Sequence, residues 1–188
     1  MSENQSLKWR FDVSTFRLIG RDLITDRITA LFELVKNSYD ANAQNVLVEF
    51  NNVGAGEAGS MITIADDGYG MSFTDIRDKW MVIGTSSKKK NPVSPKPFYR
   101  RCVGEKGIGR FAVDKLGDKL RMITKKTGEN QWLNVEINWE DYYNHSAESY
   151  NLVLFTEIDN IYYYTKANDS SESGTKLIIS NIRDAVSY

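Results

Sequence analysis

The predicted strands of this chain largely follow one another without helices between them, and this order restricts the fold most. Apolar spacings of two residues predict strands, and spacings of three and four predict helices. In order, they predict a strand at 9–13, a helix at 15–42 with a break at Gly20, strands at Asn45–Asn51 and Met61–Asp66, a helix at 73–83, a loop at 84–103, a helix at 107–116, and strands at 118–125, 131–138, 151–157 and 175–181. The segments 140–150 and 158–173 are predicted to be loops or irregular helix. The order favours an α+β two-layer sandwich, with a mixed, mostly antiparallel sheet and helices on one face.

Composition narrows the class of protein. A chain of 188 residues with 41% hydrophobic residues fits one globular domain and excludes a disordered protein. The net charge of -1 gives no overall attraction to nucleic acid or membranes. The lone Cys102 favours a reducing compartment, and neither a secretory signal nor a membrane-spanning apolar run is present. We therefore expect a cytoplasmic protein that does not enter the membrane.

Three polar residues share one face of the first long predicted helix. Glu33, Asn37 and Asp40 lie at positions i, i+4 and i+7. A carboxylate one turn from an amide can orient a water molecule and offer oxygen to Mg²⁺. For the helix alone, a solvated polar face is the preferred interpretation. The neighbouring Ile28, Leu31 and Val35 are predicted to face the core.

A carboxylate and two glycines follow the second predicted strand. Asp66 stands at the strand end, and Gly68 and Gly70 permit a close approach of the backbone. Asp66 could accept a hydrogen bond from an exocyclic amine such as adenine N6. An ordinary Asp-Gly turn is an equally good interpretation of these residues alone.

A glycine-rich loop precedes the helix predicted at 107–116. The sequence Gly104-Glu-Lys106-Gly107-Ile108-Gly109-Arg110 places backbone N–H groups and two cations where an anion would be favoured. The loop matches neither the Walker motif nor the dinucleotide-binding fingerprint. Residues 88–110 hold eight basic residues against one acidic residue. A cationic lid over phosphates would account for this surplus, although a solvated surface explains Lys88–Lys90 more simply.

Taken together and in register, these segments resemble the nucleotide-binding motifs of the GHKL ATPases. This superfamily includes gyrase B subunits, the ninety-kilodalton heat-shock chaperones, sensor histidine kinases and MutL. Residues 33–41 resemble the N-box, 66–71 the first glycine box and 104–109 the second. Gly84-Thr85-Ser86-Ser87-Lys88 resembles the start of the ATP lid, and Gly174-Thr175-Lys176-Leu177 resembles a late strand of the family. The amino-acid sequence of the N-box is most similar to that of the heat-shock chaperone and microrchidia branches.

The resemblance implies a Bergerat-type fold with a mobile ATP lid at about 84–103, and a role for each matched residue. Glu33 would be the catalytic general base, Asn37 the Mg²⁺ ligand, and Asp66 the reader of adenine N6, supported by Thr175 through water. Ala41, Gly70 and Met71 would line the base pocket. The full set implied to bind ATP and Mg²⁺ is Asn37, Asp40, Ala41, Asp66, Gly68, Gly70, Met71, Thr85, Ser86, Gly104, Lys106, Gly107, Ile108, Gly109, Arg110 and Thr175.

The same resemblance implies Mg²⁺-dependent ATP binding and slow hydrolysis, coupled to lid closure and to dimerisation. The single domain over residues 1–188 is expected to be part of a longer protein, and its client is left open between nucleic acid, another protein and nothing beyond its own dimer. Arg110 departs from the chaperones, which place an aromatic residue there. Two alternatives remain open: the catalytic domain of a sensor histidine kinase, and a non-catalytic ATP-binding switch. Glu33 counts against the kinase, because sensor kinases lack this hydrolytic glutamate.

Overall fold

The computed structural model describes most of the chain. The described residues are 10–15, 18, 22–53, 59–83, 93–94, 96–103, 109–148 and 153–183. Within them, no helix has the length and apolar character needed to cross a bilayer.

Six strands form one open sheet. They are β1 (Val46–Asn51), β2 (Met61–Asp66), β3 (Gly117–Lys125), β4 (Gln131–Asn138), β5 (Ile161–Lys166) and β6 (Gly174–Ile182). The spatial order is β1-β2-β6-β3-β4-β5, and every pairing in this sheet is antiparallel. The α+β sandwich is therefore confirmed, with an antiparallel sheet among the described strands. Because β6 lies between β2 and β3, the late strand reaches the middle of the sheet.

Helices cover one face of this sheet. They are α1 (Arg27–Asp40), α2 (Phe73–Asp75, continued by a π-helical turn at Ile76–Trp80), α3 (Ala112–Leu116, preceded by a 3-10 turn at Gly109–Phe111) and α4 (Trp139–Glu148). Alternate apolar residues of the inner strands, such as Ile62, Leu120 and Ile179, pack with Leu34 of α1 and Val113 of α3. This apolar layer fixes α1 and α3 over the strand ends that carry the polar motifs.

The N-terminus of α1 is set by a capping residue. Asp26 accepts a 2.8 Å hydrogen bond from Thr29 N, which satisfies one of the free amides of the first turn. The helix buries Ala30, Leu34 and Ser38. The prediction that Ile28 faces the core was wrong, because its side chain is 68% exposed. The spacing of apolar residues could not show which face of α1 packs on the sheet, because both the buried and the exposed face of this helix carry apolar residues.

Four local predictions differ from the structure. In their described parts, the strands expected at 9–13 and 151–157 form one bridge, Asp12 to Leu154, outside the main sheet. The chain does not continue as a strand beyond Leu154, because Phe155–Glu157 forms a 3-10 helix. β5 and α4 were both missed, since they lie in segments predicted to be loops or irregular helix. The run Ile-Tyr-Tyr-Tyr-Thr-Lys in β5 does not alternate between apolar and polar residues. An edge strand with mostly exposed side chains does not need this alternation, because it has no buried face.

Gly70 lies where the turn after β2 presses against the ends of β3 and β6. Its φ of +63° is in the left-handed region, and a methyl group there would lie 1.9 Å from the carbonyl oxygen of Lys125. Gly128 has a φ of +88° but open space around it. Comparing alanine substitutions at these two glycines therefore separates the free-energy cost of a left-handed backbone from that of a steric clash.

We predict that Gly70→Ala lowers the free energy of unfolding by about 3 kcal/mol or more, because strain and collision add. Gly128→Ala, the matched control, should cost about 1 kcal/mol from the left-handed backbone alone. Urea denaturation followed by circular dichroism measures both. Equal losses in the two variants would contradict the close packing at Gly70.

Candidate functional site

The carboxylate of Asp66 joins three elements at the end of β2. Ser38 Oγ of α1 donates to Asp66 Oδ2 at 2.8 Å. The backbone N–H groups of Gly68 and Thr175 donate to Oδ1 at 3.0 and 3.3 Å. Thr175 is also the direct cross-strand neighbour of Asp66. A helix, a turn and the central strand β6 are thus fixed around one side chain.

Burial and hydrogen bonding act in opposite directions on Asp66. Desolvation raises the pKa of its carboxyl above the ordinary value, while the bonds from Ser38, Gly68 and Thr175 partly offset that rise. A carboxylate offers about four acceptor positions, and three are used by these donors. One further donor can therefore be accommodated, which suits a ligand that carries an N–H group.

Glycines give the surroundings of Asp66 their shape. A methyl group at Gly68 would lie 2.6 Å from the carbonyl oxygen of Ala41, and one at Gly174 would lie 2.0 Å from the carbonyl oxygen of Asp66. Tyr69 N donates to the same Ala41 oxygen at 2.9 Å. The predicted pocket residues Ala41, Gly68 and Gly70 therefore lie together around the strand end.

A threonine that the sequence analysis did not select supports this wall. Thr124, fully buried near the end of β3, accepts a 2.9 Å bond from Met71 N and donates to the carbonyl oxygen of Gly174 at 3.0 Å. Its hydroxyl also lies 3.0 Å from Thr175 Oγ1, its cross-strand neighbour. Met71 and Thr175, which lie more than a hundred positions apart, are held together through Thr124. β3 also carries several charged residues, so nothing in the sequence distinguished Thr124.

Glu33 and Asn37 project from α1 toward the start of the α3 region. A methyl group placed at Gly109 would lie 3.1 Å from Glu33 Oε2 and 3.5 Å from Asn37 Nδ2. Glycine at this position lets the backbone approach both side chains closely. Glu33 Oε1 also accepts a 2.7 Å ion-pair bond from Lys36 Nζ. The carboxylate, the amide and the end of the glycine loop are therefore brought to one place.

Two predicted phosphate-site residues make contacts with the protein itself. Asp40 Oδ1 accepts a 2.8 Å bond from Val103 N, just before the glycine loop. Arg110 Nη1 donates to the carbonyl oxygens of Lys79, Trp80 and Val82, the last at 2.9 Å. Burial lowers the pKa of the Arg110 guanidinium. These contacts hold Val103 and Arg110, the described residues that flank the loop, and a direct role in ATP binding stays a prediction for Asp40 and Arg110.

Six predicted site residues lie outside the described residues, so their predictions remain as stated. They are Thr85, Ser86, Gly104, Lys106, Gly107 and Ile108. Among the residues that are described, no group of three or more His, Cys, Asp and Glu side chains could hold a metal ion by itself.

Asn42 fastens the second half of the predicted lid to the end of α1. Its backbone is left-handed at φ 60°, and its side chain is buried. Asn42 Oδ1 accepts a 2.5 Å bond from Ser94 Oγ, while Nδ2 donates to Tyr69 Oη and, at 3.2 Å, to the carbonyl oxygen of Lys96. Asparagine just after a helix end is a known signal for this backbone geometry, but it does not reveal a partner 52 positions away.

Arg100 makes a second attachment of the same segment. Its guanidinium lies 4.8 Å from the centre of the Tyr39 ring and 4.4 Å from that of Phe98, and it donates to the carbonyl oxygen of Ala43 at 2.6 Å. The described part of 93–103 therefore contacts α1 and the turn after it, and a mobile lid over 84–103 stays a prediction. The polar composition of the segment concealed the ordered contacts.

Comparison with known proteins gives two findings. Residues 25–175 match the family described as "Histidine kinase-, DNA gyrase B-, and HSP90-like ATPase". The chain is also 28% identical over 120 residues to a protein of Herpetosiphon aurantiacus named "Putative type II restriction enzyme HgiDII". That alignment covers 63% of this chain and 18% of the relative, so the chain spans less than a fifth of the relative's length. The family match encloses every site residue that the structure describes.

We predict that Asn42→Ala increases trypsin cleavage after Arg100 and Arg101 about tenfold, because lost buried hydrogen bonds release the 93–103 segment. Gel analysis with mass spectrometry of the fragments measures the rate. Asn138→Ala, at the end of β4, is the control and should leave that rate unchanged. Cleavage at the wild-type rate in Asn42→Ala would show that the segment does not depend on this anchor.

Proposed function

We propose that this chain, which belongs to the histidine kinase-, DNA gyrase B- and HSP90-like ATPase family, binds ATP with Mg²⁺ and hydrolyses it slowly. One observation carries the proposal: Glu33 and Asn37 of α1 both face the backbone at Gly109, where an added methyl group would lie 3.1 Å from Glu33 Oε2 and 3.5 Å from Asn37 Nδ2. A base and a metal ligand then lie beside the loop that would hold the phosphates. Asp66, anchored to the same helix through Ser38, marks the opposite end of the nucleotide.

The adenine end of the proposed site is the Asp66 carboxylate. Its remaining acceptor position would receive the N6 amine, and this position would repel the O6 carbonyl of guanine. Thr175, bonded to Thr124, would support the same ring edge. Gly68 and Gly70 let the backbone of the first glycine box approach a flat base. These residues fit an adenine nucleotide.

The metal end of the proposed site fits Mg²⁺ with few protein ligands. This ion keeps several waters and takes the rest of its ligands from phosphates, so one protein oxygen is enough. The side-chain oxygen of Asn37 would be that ligand. When bound, Mg²⁺ would neutralise charge on the β- and γ-phosphates. Glu33, one turn away on α1, would accept a proton from the attacking water.

The lid part of the proposal rests on the resemblance. The described residues of 93–103 contact α1 and the turn after it through Asn42, Arg100 and Asp40. We propose that the lid at about 84–103 closes over the nucleotide from this arrangement. Closure would be coupled to nucleotide-dependent dimerisation in a longer protein, as the resemblance to the heat-shock chaperone and microrchidia branches implies. Lys106 and Arg110 would add positive charge at the phosphates.

Hydrolysis is preferred to the two alternatives because of Glu33. A sensor kinase transfers the γ-phosphate to a histidine and has no use for a base beside the phosphate loop. A non-catalytic switch likewise does not require one. The restriction-enzyme relative shares only 18% of its length with this chain, and its name adds no activity to the proposal.

We predict that Glu33→Gln leaves ATP affinity within about twofold and lowers single-turnover phosphate release at least a hundredfold, because general-base catalysis contributes about that much. Calorimetry measures the affinity, and a phosphate sensor measures release. The control is Glu49→Gln, an exposed carboxylate on the edge strand β1, which should behave as wild type.

Turnover that survives in Glu33→Gln would disprove the assignment of the base. ATP binding without any phosphate release in the wild type would instead favour the switch. Transfer of the γ-phosphate to a histidine-bearing partner would favour the kinase.

A further inference from the structure

Lys36 forms an ion pair with the proposed base, and the proposed function gives it no task. Its Nζ lies 2.7 Å from Glu33 Oε1, one helical turn along α1. The Lys36 side chain is 40% exposed and that of Glu33 is 29% exposed. Such a pair, open to water, contributes little to folding stability. Stability therefore does not explain a lysine at this position.

The two oxygens of Glu33 have different surroundings. Oε1 is bonded to Lys36, whereas Oε2 lies 3.1 Å from the position that a methyl group would occupy at Gly109. A carboxylate held at one oxygen keeps a defined rotation about its last bond. The other oxygen is thereby directed at the end of the glycine loop, where the proposed site places the phosphates.

We propose that Lys36 is a positioning residue that orients the Glu33 carboxylate for hydrolysis. This inference rests on the proposed function. In the reaction, the oxygen of water forms a bond to the γ-phosphorus, and the bond from this phosphorus to the bridging oxygen breaks to leave ADP. The proton of the water passes to Glu33 Oε2. Lys36 keeps its bond to Oε1 and does not contact the nucleotide.

The test measures single-turnover phosphate release and ATP affinity in Lys36→Met and Lys36→Arg. Lys36→Met should slow release about tenfold, because a misdirected base loses the alignment that the reaction needs. Its ATP affinity and its melting temperature should stay at wild-type values. Lys36→Arg restores a cation beside Oε1 and should recover release to within about twofold of wild type.

Lys79→Met is the matched control. Lys79 is also a helix-borne lysine in an ion pair, with its Nζ 2.6 Å from Asp75 Oδ1, and its side chain is 66% exposed. Removing this pair should not change release. A readout without turnover is the ammonium ¹⁵N signal of Lys36 in nucleotide-free protein. That signal should shift in Glu33→Gln and stay in place in Glu49→Gln.

Three results would overturn the inference. They are release at the wild-type rate in Lys36→Met, release in Lys36→Arg as slow as in Lys36→Met, and a tenfold loss of ATP affinity at an unchanged rate, which would make Lys36 a nucleotide ligand. Measuring Glu33→Gln in parallel distinguishes a failure of the role of Lys36 from a failure of the assignment of Glu33 as the base. If Glu33→Gln is inactive and Lys36→Met is normal, only the role of Lys36 fails; if Glu33→Gln is active, the base assignment fails as well.

Discussion

A partly buried carboxylate, Asp66, is the interaction on which the rest of the site depends. Removing a charge from water is costly unless hydrogen bonds replace the lost hydration. Here the replacements come from α1 through Ser38, from the turn through Gly68 and from β6 through Thr175. Because no two of these donors are adjacent in sequence, the carboxylate is satisfied only when helix, turn and sheet are all in place.

The position of α1 then fixes the other end of the site. Ser38 is held at Asp66, and Glu33 lies five residues earlier, which is about 7.5 Å along a helix. Leu34 and Ala30 bury the face between helix and sheet, so α1 cannot rotate without exposing them. Glu33 and Asn37 are consequently presented to Gly109 by the same packing that anchors Asp66. The proposed base, metal ligand and adenine reader would thus lie on one helix-strand unit, which suits a nucleotide of fixed length.

Much of this arrangement could be predicted from the sequence, because its determinants are local. β2 is a short apolar strand that ends in Asp66 and a glycine turn, and the next helix begins at Phe73, as predicted, after the capping residue Ser72. The parts that were missed depend on distant contacts. Asn42 contacts Ser94, and Thr124 links Met71 to Gly174. These residues lie far apart in sequence, and the spacing of apolar residues carries no information about such contacts. β5 was missed for a different reason: an exposed edge strand of consecutive tyrosines has no buried face to impose alternation.

The most direct test of the account compares the affinities of ATP and GTP for the wild type and for Asp66→Asn, with calorimetry at neutral pH. An asparagine can keep all three internal contacts, since its oxygen can accept from Gly68 and Thr175 while its amide donates to Ser38. The fold should therefore persist, and the melting temperature checks this. The account predicts that the wild type prefers ATP, and that the substitution costs about 1–3 kcal/mol of ATP binding and narrows the preference. Equal wild-type affinity for GTP, or unchanged ATP affinity in the folded variant, would contradict it.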